Sequence, residues 1–72
     1  MATPRVSVAD RLAHLRGLLS RRNGRFSFDE AVADADRVTV AVTLFALLEL
    51  YKSGEAAWEQ EVPFGPITVH AA

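Results

Sequence analysis

The chain has 72 residues, 50% of them hydrophobic and 24% charged. So short a chain buries only roughly 60% of the surface its unfolded form exposes, which allows one small core and excludes a second domain, and the composition excludes a disordered segment. A net charge of -1 gives no general attraction to phosphate backbones or anionic lipid, and the absence of cysteine excludes disulfides and thiolate metal sites.

No apolar run approaches the roughly 20 residues of a membrane span, and the first ten residues carry no signal-peptide pattern. A soluble, cytoplasmic domain is therefore expected. Residues 1–6 read as a flexible tail and residues 7–72 as the folded unit. Because so small a core is rarely a whole protein, the chain is expected to be one domain of something longer.

In chain order, Val8, Leu12, Leu15 and Leu19 recur at helical spacing while Asp10, Arg11 and Arg16 fall elsewhere, which predicts an amphipathic helix from Ser7 to about Arg22. Ser7 is its N-cap, and Asn23-Gly24 supplies residues able to turn left-handed and end it. Arg25-Phe26 reads as a short strand. Ser27 with Glu30 three residues on has capping-box spacing, so a second, short helix starts at Ser27 and carries Phe28, Ala31, Val32 and Ala35. It should break at Asp34 to Asp36, and Asp36 caps a third helix, Arg37 to Ser53, closed by Gly54. Imperfect alternation over Ala56 to Val62, turn residues over Pro63 to Pro66, and Ile67 to His70 predict two strands joined by a turn. The order helix, short strand, helix, helix, hairpin is that of an α+β winged helix-turn-helix domain. Its expected core is Val8, Leu12, Leu15, Leu19, Phe28, Val32, Leu47, Leu50 and Trp58. Trp58 is read as core in preference to an interface anchor.

The third predicted helix carries one apolar stripe too many. Val40, Thr43, Leu47 and Leu50 form a stripe sufficient to face a core, yet Ala41, Leu44, Phe45 and Leu48 form another on a different side. Between Val38 and Tyr51 the single charged residue is Glu49. Two short helices and a hairpin cover about half of such a helix, so a partner is expected to cover the rest, in preference to a domain that wraps it completely. Without that partner the isolated domain is expected to self-associate through the same stripe. The segment also argues against reading DNA bases, which needs Arg, Lys, Asn or Gln directed at base edges. Here Arg37 and Lys52 lie at opposite ends of the helix. Arg11, Arg16, Arg21, Arg22 and Arg25 cluster on the first helix and its exit, where a solvated face is the preferred reading and a DNA contact the alternative.

The string Val42-Thr43-Leu44-Phe45-Ala46-Leu47-Leu48-Glu49-Leu50, then Gly54, Glu59-Gln60-Glu61 and Pro63-Phe64-Gly65-Pro66-Ile67, resembles the C-terminal domain of the bacterial ScpA kleisins. The similarity runs from about Val6 to Val69, with support from the Ser-Val opening of the first helix and from Arg25-Phe26-Ser27-Phe28. Ala56, Val62 and Pro66 depart from it, since the family tends to a β-branched residue at the first and acids at the other two. The resemblance implies a winged helix that binds the ATPase head of an SMC subunit and closes the SMC–ScpA–ScpB ring of chromosome organisation and segregation. It implies a nucleoid-associated location, ScpB recruited through regions absent from this chain, and DNA engaged only indirectly. Together with the uncovered stripe, it assigns partner contact to Ala41, Leu44, Phe45, Leu48, Lys52 and Phe64.

Other chemistry is weakly supported. His14 and His70 have no metal-ligand spacing, and helix caps account for the acidic set Asp29, Glu30, Asp34 and Asp36. With no phosphate loop, nucleophile elbow or catalytic set, neither enzyme nor cofactor is expected. The alternative function kept open is a winged-helix DNA-binding domain that uses the first helix and its arginines.

Overall fold

The structure, a computed structural model, describes residues 6–21 and 23–72. The tail expected over residues 1–6 thus lies outside the described residues except for Val6, and so does Arg22. The first helix, α1, spans Val8–Arg21. The Ser7 hydroxyl accepts from the Asp10 amide at 3.0 Å and so satisfies one of the amides that a helix start leaves without a partner. At the other end Asn23 turns left-handed with φ 56°, and the Gly24 amide donates back to the Leu19 carbonyl at 2.7 Å, as in a Schellman stop.

Strand β1, Arg25–Ser27, leads straight into α2, Phe28–Ala31. Ser27 and Glu30 form the predicted capping box, the Glu30 amide donating to the serine hydroxyl at 3.2 Å. This helix is shorter than its apolar residues suggested. Val32 already caps it, and a turn with Asp34 at φ 63° follows. A single turn cannot satisfy its own last carbonyls, and the Ala31 carbonyl instead accepts from Arg11 Nη2 at 2.8 Å and lies 3.1 Å from His14 Nε2. Arg11 Nε also donates to Thr43 Oγ1 at 2.7 Å. Arg11 is therefore not part of the solvated basic face expected of it. It is half-buried, joining α1 to α2 and to the third helix.

That helix, α3, spans Arg37–Lys52. Asp36 caps it by accepting from the Thr39 amide at 2.8 Å. Gly54, with φ 79°, ends it in a second Schellman stop, the Gly54 amide donating to Tyr51 and that of Glu55 to Leu50 at 2.9 Å. Strands β2, Ala56–Glu59, and β3, Thr68–Ala71, complete an antiparallel sheet of order β1-β3-β2. Strand β2 is shorter than the alternation suggested, β3 keeps its expected four residues one position later, and the wing between them runs from residue 60 to residue 67. Phe26, Val69 and Trp58 lie side by side across the sheet. Because side chains alternate along a strand, this row shares one face, and there Phe26 and Val69 enter the core.

Three helices on one side of a three-stranded sheet, in this order, make an α+β winged helix. The core comprises Leu15 and Leu18 of α1, Phe26, Ala31, Ala46, Leu47 and Leu50 of α3, Ala56 and Val69, with Leu12, Leu19, Phe28, Trp58 and Ile67 packed against it. Val8, expected inside, is 39% exposed, because it begins α1 beyond the reach of the sheet. Thr43 is fully buried, and its hydroxyl both accepts from Arg11 and donates to the Thr39 carbonyl at 2.6 Å. Among the described residues no buried side-chain polar atom lacks a partner.

Glu55 ties the end of α3 to α1. It accepts from Arg16 Nε and Nη2, each at 2.9 Å, and from the Ser53 hydroxyl at 2.8 Å. The Arg16 hydrogen bonds, then that of Ser53, lower its pKa from 4.5 to about 2. A carboxyl whose folded pKa is depressed contributes stability above its unfolded pKa and loses it as pH falls through the folded one. Thermal melts of the wild type should therefore decline between pH 4.5 and about 2 more than those of Glu55→Gln. The difference should be small, since an exposed ion pair is screened by solvent.

Candidate partner-binding face

The core takes one side of α3, through Thr43, Ala46, Leu47 and Leu50. At about 100° per residue these positions lie opposite Ala41, Leu44, Phe45, Leu48 and Lys52, all of which are exposed. The exposure is large for apolar side chains: Phe45 62%, Leu44 47% and Leu48 38%, against 2% or less for Leu47 and Leu50. The two stripes read in the sequence are thus separate faces, and the second belongs to solvent in the isolated chain. Domains that work without a partner rarely expose so contiguous a row of leucine and phenylalanine on one helix.

Three residues outside the expected set, Tyr51, Trp58 and Val38, extend or flank the face. Tyr51 follows Leu44 by seven positions and Leu48 by three, which puts it on the same stripe by spacing alone. Its ring packs on Trp58 of β2 at 4.9 Å between centroids, tilted by 49°. Trp58 is half-buried, so it lies at the core's edge and carries the apolar face from helix to sheet. Val38, also exposed, flanks the N-terminal half of α3. At the C-terminal end Lys52 Nζ lies 3.3 Å from Glu49 Oε1, a solvated pair that borders the stripe with charge.

Phe64 sits apart from α3, at the tip of the wing. It borders a shallow recess with Phe28, Asp29, Gly65, Pro66 and Ile67, and its own ring is fully exposed.

No protein-family model matches the chain, and no curated protein matches it. Among solved structures, a crystal structure of an SMC head bound to the C-winged-helix domain of ScpA contains a chain that superposes with a TM-score of 0.69 and 26% identity. The match covers 90% of this chain and 93% of that one. The fold is that of the ScpA C-terminal winged helix.

In this ScpA-like winged helix the basic side chains are largely engaged within the domain. Arg16 pairs with Glu55, Arg25 Nη2 lies 3.6 Å from Glu59 Oε1, and Arg21 Nε donates to the Gly17 carbonyl at 3.3 Å. His70 Nε2 lies 3.6 Å from the same Glu59 oxygen. Each carboxylate offsets charge that a phosphate contact would use. Among the described residues no group of three or more His, Asp or Glu is placed to hold a metal ion, and no helix is long and apolar enough to cross a membrane.

Proposed function

We propose that this domain is a non-enzymatic binding module that docks on the ATPase head of an SMC protein through the exposed apolar face of α3. The observation that carries the reading is that face itself, presented by a fold whose neighbour is an SMC-head-bound ScpA domain. The docking residues are Ala41, Leu44, Phe45, Leu48 and Lys52, continued by Tyr51 and Trp58. In the longer kleisin, head binding closes a ring of SMC, ScpA and ScpB that organises and segregates chromosomes in the cytoplasm, at the nucleoid, with DNA held by the assembly and not by this domain.

Titration of a purified SMC head with the domain should give saturable binding that changes little between low and physiological salt, as expected of apolar docking. A DNA-binding domain would behave oppositely, with affinity falling steeply because added salt reduces the entropy gained when binding releases condensed counterions. Absence of head binding together with salt-sensitive DNA binding overturns the proposal.

A further inference from the structure

The exposed side of α3 carries a finer pattern than an apolar stripe. Val38, Ala41, Phe45, Leu48 and Lys52 are all exposed, and they follow one another at alternating steps of three and four residues. That alternation keeps a line of side chains against a neighbouring helix, as the inner positions of a coiled coil do. A helix that rests on an irregular surface has no need of it. Leu44 and Tyr51, also exposed, widen this seam along one flank.

The seam is complementary to itself. When two copies lie antiparallel about a twofold axis at the level of residue 43, Val38 of one stands opposite Leu48 of the other and Ala41 opposite Phe45, so that every layer sets a larger side chain against a smaller one. Sliding the copies by one heptad would instead bury Lys52 against Ala41 and leave Val38 without a partner. In the first register Lys52 passes beyond the last apolar layer toward the start of the other α3, where the exposed Asp34 and Asp36 outnumber Arg37. Each end of the seam thus sets a cation toward carboxylates.

We propose that the free domain pairs with a second copy of itself through α3 in this antiparallel register, and that the pair masks the apolar face until an SMC head displaces one copy. The pairing stands on the seam alone, whereas the displacement rests on the SMC-head reading above. Leu44, Phe45 and Leu48 serve both contacts, so the two exclude each other. The size of the seam makes the pair weak. A face 16 residues long measures about 24 Å by about 10 Å, well short of the roughly 800 Å² per partner of a stable interface. A head that offers a larger surface therefore wins.

Sedimentation equilibrium of the domain, with variants placed on opposing positions of the seam, tests the pairing. The wild type should show a concentration-dependent dimer, and a chain that stays monomeric up to about 1 mM overturns the proposal. Val38→Lys and Leu48→Glu should each weaken the dimer at least about tenfold. Mixed in equal amounts they should associate again, because the new lysine of one copy meets the new glutamate of the other. A mixture that remains monomeric overturns the register. Ala41→Glu mixed with Phe45→Lys puts the same question to the inner layers, and replaces the first pair if Leu48→Glu melts early. Addition of a purified SMC head to the wild type should dissolve the dimer into particles with one head and one domain. A head that carries a paired domain overturns the masking. A head that binds neither form removes the SMC reading and the displacement, and leaves the pairing to the mixing result.

Discussion

Leu44→Arg and Leu48→Arg should each leave the domain folded and abolish its binding to an SMC head. The two residues lie one turn apart on the face of α3 that the core does not use, 47% and 38% exposed. Arginine is as good a helix former as leucine, and in the free domain its guanidinium stays in water, so folding changes little. In the complex the same charge would enter an apolar contact without a counter-ion. Burying an unpaired charge costs several kcal/mol, which lowers affinity by about a thousandfold or more. Leu44→Arg is the cleaner variant, because Leu48 is the more enclosed of the pair. Circular dichroism and a thermal melt must accompany the titration, since loss of binding with loss of fold would make these leucines core. Folded variants that bind at wild-type affinity would place the docking surface elsewhere.

The opposite behaviour is expected one residue before Leu48. Leu47 is 2% exposed and belongs to the core with Leu15, Leu50 and Val69. Leu47→Ala removes its transfer energy and leaves a cavity that rigid neighbours cannot fill, a loss of roughly 2–5 kcal/mol. Domains of this size have about 0.05–0.15 kcal/mol of stability per residue, so the variant forfeits a large share of the total. Each kcal/mol shifts the melting temperature of so small a domain by about 4–8 °C, and a drop of ten degrees or more is expected. Phe45→Ala, at a site 62% exposed, should stay within about 1 kcal/mol of the wild type. Equal losses at Leu47 and Phe45 would mean that α3 is covered on both sides by its own domain.

These contrasts rest on features that differ in how far the chain determines them locally. The starts and stops of the helices were legible because they are set by residues a few positions apart. Ser7, Ser27 and Asp36 cap amides three residues on, and Asn23 and Gly54 take the left-handed turns that release the chain. The two faces of α3 were legible for the same reason, since a helix places residues by angle alone. Tyr51 could have been added by that rule.

Tertiary structure alone decided what the sheet and the polar contacts between helices look like. The order β1-β3-β2 puts Phe26, Val69 and Trp58 in one row, a pairing between residues far apart in the chain that no local period encodes. Phe26, Val69 and Ala56 therefore enter the core although no local pattern singles them out. Leu18 follows, buried because sheet and α3 close over α1 together, while Val8 lies beyond their reach and stays exposed. Arg11 shows the same limit. Its charge suggested water, but it turned inward because a one-turn helix leaves the Ala31 carbonyl open and a buried Thr43 hydroxyl stands beside it. The sequence by itself determined where helices begin and end and which face of α3 is spare, by short-range hydrogen bonding and helical geometry. Which residues fill the core, and which cation is drawn into it, was decided by packing between elements, where contacts and unsatisfied groups are created only once the chain has folded.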